Sequence, residues 1–137
     1  MAAALYLLDT NILIAAMKGH PGVRQRLEAL PLSSLRLSMI ALGELAFGAE
    51  KSAYGQRNRA RLAALAQRLP PVGLDAETTR RYAQVRALLE SQGTPIGAND
   101  TWIAAQALTI GATLVTDNVR EFSRVPALAL ENWLRAA

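Results

Sequence analysis

Short apolar runs that end on a polar residue and lead into helix-length segments limit this fold more than any other feature. LYLL (Leu5–Leu8) leads into Asp9, LRL (Leu35–Leu37) into Ser38, and ATLV (Ala112–Val115) into Thr116 and Asp117. Runs this short, bounded by polar and turn residues, read as buried strands. ILIAAM after Asp9-Thr10-Asn11 reads as a helix that Thr10 or Asn11 would cap. GHPG (Gly19–Gly22) is a break, and its His20, the only histidine, reads as a turn residue. VRQRLEAL is a short amphipathic helix ended by Pro31. A helix follows Ser38 from about Ile40 to Lys51. A basic helix from Arg57 to Arg68 carries Leu62, Leu65 and Leu69 on one face. PPVG then breaks the chain, with a brief strand expected at Val72–Leu74. Asp75 caps a long helix with Tyr82, Val85, Leu88 and Leu89 as its apolar set. The turn-rich SQGTPIGAND precedes a helix from near Asp100 to about Thr109, stopped at Gly111. A last strand is expected at Ala127–Leu130. The alternation predicts an α/β domain with a largely parallel sheet.

Four carboxylates interrupt this apolar pattern. Asp9 and Asp117 stand at strand ends, Glu44 lies within SMIALGELAFG, and Asp100 opens DTWIAAQAL. An ionised carboxylate beside a core is costly unless something compensates it. In open parallel sheets, ligands bind beyond the carboxyl ends of the strands. That rule brings all four acids toward one edge, where converging acids repel unless a cation holds them. Clustered carboxylates suit Mg²⁺ or Mn²⁺. Each acid also has an ordinary use: Asp9 as a helix cap, Glu44 as an ion-pair partner, Asp100 as a helix-dipole charge and Asp117 as a turn residue. Glu121, four residues beyond Asp117, is the nearest fifth acid and suits solvent or an arginine. Trp102 and Trp133 read as packing residues.

The balance is 15 Lys+Arg against 11 Asp+Glu, a net charge of +4, so a chain that spends several acids on one site is more basic elsewhere. Such a surface suits a polyanion such as nucleic acid, or serves solubility alone. Arg57 and Arg59 lie in the densest basic stretch. Arg120 and Arg124 follow the last acid and are the better candidates for phosphate contacts. The chain has no cysteine, which excludes disulfides and thiolate metal sites. MAAALYLLD lacks the basic start of a signal peptide, and no apolar run approaches a membrane span. The expectation is one soluble, cytoplasmic domain over residues 1–137, with no membrane partner.

LLDTN, S-x-x-x-x-x-E-L-x-x-G from Ser38 to Gly48, PIGANDTWIAA from Pro95 to Ala105, and LVTDNVREF from Leu114 to Phe122 together resemble PIN-domain ribonucleases. The chain is more closely similar to the VapC toxins of VapBC type II toxin–antitoxin systems. The resemblance implies a three-layer α/β/α fold. It also implies an acidic quartet of Asp9, Glu44, Asp100 and Asp117 that binds Mg²⁺, with Mn²⁺ as substitute. Asn11, Thr116 and Asn118 would support that quartet by hydrogen bonding. Many relatives have Asn at the position of Asp117, which leaves open whether Asp117 or Asn118 faces the metal. A metal there would activate water for in-line attack on an RNA phosphodiester and stabilise the developing charge. The implied partners are a VapB-type antitoxin and a second copy, forming a homodimer and a toxin–antitoxin hetero-oligomer. The PIG segment and the LENWL tail resemble the group that cleaves initiator tRNA in its anticodon loop, which would inhibit translation.

Two alternatives remain at this stage. One is a housekeeping PIN nuclease in RNA processing. The other is a non-enzymatic α/β domain with an acidic pocket. A phospho-receiver needs a lysine at a later strand end, yet no lysine follows Lys51. A haloacid-dehalogenase-like phosphatase wants an acid two places after Asp9, where Asn11 stands.

Overall fold

The computed structural model describes residues 4–135. Among them, five strands form one parallel sheet: β1 (Tyr6–Leu8), β2 (Leu35–Ser38), β3 (Pro71–Val72), β4 (Thr113–Val115) and β5 (Leu130–Glu131). Their order is β3-β2-β1-β4-β5. Leu8 stands opposite Leu37 on one side and Val115 on the other. Leu7, Leu8, Leu37, Leu114 and Val115 are fully buried, as the strands of a sheet covered on both faces must be. The connecting helices are α1 (Thr10–Met17), α2 (Pro21–Ala29), α3 (Met39–Lys51), α4 (Gly55–Arg68), α5 (Ala76–Ser91), α6 (Ala98–Ile110) and α7 (Val119–Phe122).

The chain runs outward from β1 to β2 and β3, then returns through α5 and α6 to β4 on the other side of β1. Right-handed crossovers put these two sets of helices on opposite faces, giving three layers. The reversal of direction at β1 and β4 opens a crevice at their carboxyl ends. No helix of the described residues is long and apolar enough to cross a membrane.

Several elements depart from the sequence expectation for local reasons. Asp9, rather than Thr10 or Asn11, caps α1, because its Oδ1 accepts from the Thr10 amide at 2.8 Å. His20 is not a free turn residue; its Nδ1 accepts from the Val23 amide at 3.2 Å and caps α2. Helix α4 starts at Gly55, where a Cβ would stand 2.5 Å from the Ala49 carbonyl oxygen; only glycine allows α3 and α4 to turn this tightly. The last strand begins at Leu130 because Ala127 has φ +65°, a left-handed conformation that strand pairing does not admit. The brief third strand falls at Pro71–Val72, ahead of its expected place. Both tryptophans pack: Trp133 is buried against Tyr6, and Trp102 stacks on Tyr82 with ring centroids 3.7 Å apart.

A buried amide ties the helices that carry the acids. Ser38 caps α3 by accepting from the amides of Ile40 (3.1 Å) and Ala41 (3.2 Å), and its hydroxyl donates to Gln106 Oε1 at 2.6 Å. Gln106, fully buried on α6, donates through Nε2 to the carbonyls of Val72 (2.7 Å) and Gly73 (3.2 Å). One side chain therefore joins the ends of β2 and β3 to α6, and through Ser38 to α3. Gln106→Leu keeps the volume but strands a hydroxyl and two carbonyls. It is expected to cost about 2 kcal/mol in urea denaturation. A change below about 0.5 kcal/mol would show that the network does not brace the fold.

Candidate active site

Asp9 leaves β1 at the centre of the crevice and is only 5% exposed. Its Oδ1 is held by the α1 cap, and its Oδ2 accepts from Thr116 Oγ1 at 2.8 Å. Thr116 follows β4 directly, and its hydroxyl also accepts from the Asn118 amide at 3.0 Å. Thr10 donates its hydroxyl to Glu44 Oε1 at 3.0 Å, so the residue after Asp9 anchors the acid from α3. Asp100 enters from the first turn of α6. Asn118 Nδ2 approaches Asp100 Oδ2 at 3.5 Å and donates to Glu121 Oε2 at 3.0 Å. Asp9, Glu44, Asp100 and Glu121 thus meet around two threonines and one asparagine.

The electrostatics reflect that gathering. Burial pushes the Asp9 carboxyl up, against the lowering effect of its bonds from Thr116 and Thr10. Asp100 is pushed up to about 6, first by burial and then by the charges of Asp9, Glu44 and Glu121; Asn118 offsets only part of this. Asp117 does not contribute to that repulsion. Its carboxylate faces the C-terminal segment, accepting from Asn132 Nδ2 at 3.0 Å and Arg135 Nε at 3.3 Å. Those bonds hold its pKa below the usual carboxylate range.

The placement of Asp117 corrects the expected quartet, and side-chain alternation explains it. Successive residues leaving a strand point to opposite sides. Thr116 points at Asp9 and Asn118 at Asp100, so Asp117 between them points away. The short helix α7 then turns Glu121 back toward the acids, one turn after Asn118. Of Asp117 and Asn118, it is Asn118 that faces the site. Asn11 is exposed on α1 without a bond to any acid, and the supporting role expected of it falls to Thr10. Thr10 was read only as a candidate helix cap, and Gln106 had no signal in the sequence.

The arginines divide. Arg120 is exposed beside Glu121. Arg124 donates to the Pro95 carbonyl at 3.2 Å and braces the loop before Asp100. Arg59 pairs with Glu50 at 3.3 Å, and the Arg57 guanidinium lies 5.9 Å from the Tyr54 ring centre. Arg61, from the same basic stretch as Arg57 and Arg59, shares a cavity with Thr10 and Glu44.

The all-oxygen donor set and the raised Asp100 suit a hard cation. Among the described residues no three acids close into a cage tight enough to hold a metal alone.

A doubly wound α/β domain with carboxylates gathered at its switch point belongs, by fold and site, to the proteins that hold a divalent cation at a sheet edge. A PIN domain model matches residues 6–128. Ribonuclease VapC2 of Rickettsia felis is 40% identical over 131 residues, 94% of this chain and 98% of its own length. The tRNA(fMet)-specific endonuclease VapC of Salmonella typhimurium is 39% identical over 129 residues, 93% of this chain and 97% of its own. Among solved structures, DNA-bound VapBC from S. typhimurium is similar with a TM-score of 0.89 at 37% identity, over 96% of this chain and 99% of that one. VapBC2 from R. felis, bound to a DNA fragment from its promoter, gives 0.86 at 39% identity, over 94% and 98%. The chain belongs to the PIN-domain family and, within it, to the VapC ribonucleases.

The raised Asp100 has a signed consequence for stability. The native protein keeps a proton that the unfolded chain releases between its ordinary pKa of 3.8 and about 6. Stability of the metal-free protein therefore falls as pH rises through that window, and the loss is complete above about 6. The full linkage is about 3 kcal/mol; solvent screening of a half-buried group reduces it to about 1 kcal/mol. Asp100→Asn is expected to recover that amount near pH 7 and little near pH 4, measured by urea denaturation in EDTA. An equal effect at both pH values would contradict the origin assigned to it.

Proposed function

We propose that this chain is the toxin of a type II toxin–antitoxin pair, a single PIN domain that hydrolyses RNA phosphodiester bonds with Mg²⁺, or Mn²⁺ in its place. The observation that carries the reading is the meeting of Asp9, Glu44, Asp100 and Glu121 at the sheet's switch point, with Asp100 pushed up to about 6 by burial and its neighbours. Four acids so placed oppose one another unless a divalent cation joins them.

Asp9, Glu44, Asp100 and Glu121 would hold the cation, and Asp117 is not among them. A bound Mg²⁺ supplies charge to the phosphate oxygens and lowers the pKa of water. The chain's own residues do the rest. Thr10 and Thr116 fix the rotamers of Glu44 and Asp9, so the acids are oriented before substrate arrives. Asn118 spaces Asp100 from Glu121 by donating to both. Arg120, exposed and adjacent to Glu121 in the chain, and Arg57, exposed on α4, have charge suited to flanking phosphates. Arg59 and Arg124 already have partners and would give only their remaining donors.

The substrate class is RNA. The tRNA(fMet)-specific endonuclease VapC at 39% identity supports the initiator tRNA, cut in its anticodon loop to inhibit translation. Recognition there would rest on loop shape and splayed bases. The similar VapBC structures support a VapB-type antitoxin as partner, together with a homodimer and a toxin–antitoxin hetero-oligomer. A basic chain acting on tRNA would work in the cytoplasm.

Induced expression is expected to arrest growth and to leave RNA fragments with 5′-phosphate and 3′-hydroxyl ends, mapped by end-specific ligation and sequencing. Asp9→Asn and Asp100→Asn are each expected to lower cleavage at least about 100-fold, as loss of a group acting on transition-state charge does. EDTA should stop the reaction and added Mg²⁺ restore it. Cleavage by either variant at the wild-type rate, or cleavage in EDTA, would refute the site.

A further inference from the structure

Gly48 is a residue the fold does not need. It sits in the last turns of α3, where glycine costs about 1 kcal/mol relative to alanine. Its φ is not positive, and a Cβ added there would meet nothing within 4 Å. Neither backbone conformation nor packing calls for glycine, so the missing side chain keeps open space. That space is a cavity of about 260 Å³ between α1, α3 and α4.

The cavity reaches one of the acids. Glu44 and the Thr10 that bonds it are both in its lining. Ile14, Leu45 and Leu62 give it apolar walls, while Lys18 and Arg61 stand exposed at the rim. Neither cation has an ion-pair partner among the described residues. Asn58, also in the lining, donates its amide to Ser52 Oγ at 3.3 Å and keeps its carbonyl oxygen for an incoming donor. The volume is below the ~300–1,000 Å³ of drug-sized sites and suits one flat heterocycle.

We propose that this cavity is a nucleobase subsite that takes one unstacked RNA base next to the scissile phosphate. The assignment rests on the nuclease reading above. Enzymes that act on extruded bases hold them between apolar side chains and read the polar edge. Ile14, Leu45 and Leu62 supply the apolar slot, and Asn58 the edge contact. Lys18 and Arg61 lie where the phosphates of that nucleotide would pass, a placement that fits a polyanion. Gly48 leaves the wall low enough for a ring to enter.

The test uses the RNA mapped in the expression experiment, made as a stem–loop with a single abasic residue at each position flanking the cut. Wild-type protein is expected to lose about ten-fold or more in kcat/KM at one of these positions, the worth of one stacked base. Gly48→Leu fills the slot and replaces a helix-weakening residue, so its thermal midpoint should equal or exceed that of wild type. It should show the same loss on intact RNA and no further loss on the sensitive abasic RNA. Full cleavage of intact RNA by Gly48→Leu, or no abasic position that matters, would overturn the subsite. Unchanged RNA cleavage with weakened binding to the VapB-type antitoxin would assign the cavity to a protein side chain instead. Wild-type protein that cuts no RNA would refute the nuclease reading itself, before any variant is compared.

Discussion

The Asp9 carboxylate is the point on which the site depends. One oxygen caps α1 and the other holds Thr116 at the end of β4. Asp9 thereby joins the two strands where the sheet reverses direction, and it does so 5% exposed, in the place where a charge is least welcome. The two hydrogen bonds lower the cost of ionising it but do not abolish the effect of burial. Each threonine that touches this region also reaches the next acid or its support: Thr10 holds Glu44, and Thr116 holds the Asn118 backbone. The fold's central contact and the proposed chemistry share one side chain.

That sharing sets a conflict between stability and function. Burial first, and then the charges of Asp9, Glu44 and Glu121, push the Asp100 carboxyl up. A structure without a ligand for them would be better served by amides. The strain is tolerated because the surrounding frame is strong: fully buried leucines across β1, β2 and β4, and Gln106 bracing α3 against α6. A cation would turn the same repulsion into affinity, so the feature that weakens the metal-free protein is what would make it bind.

The fold was legible because strand and helix periods alternate cleanly, and the five parallel strands lie close to the expected runs. Asp9, Glu44 and Asp100 were legible because each acid stands at the edge of an apolar element, and the structure brings all three to one sheet edge. Asp117 misled for the same reason: it ends an apolar run, yet the alternation along β4 turns it toward Asn132 and Arg135. Glu121, the nearest fifth candidate, was assigned to solvent or an arginine because α7, only four residues long, reads as a turn in sequence. The spacing of Asn118 and Glu121, three apart on one helical turn, was the available signal. The bracing roles of Gln106 and Thr10 could not be singled out, since they come from partners 33 or more residues away.

The central claim is that the cation site consists of Asp9, Glu44, Asp100 and Glu121, with Asp117 outside it. Calorimetric titration of the metal-free protein with Mn²⁺ tests this directly. Glu121→Gln should weaken binding by about ten-fold or more, the effect of about 1.4 kcal/mol. Asp117→Asn, which keeps an acceptor for Asn132, should bind within about two-fold of wild type. Loss of affinity in Asp117→Asn with Glu121→Gln unchanged would contradict the account.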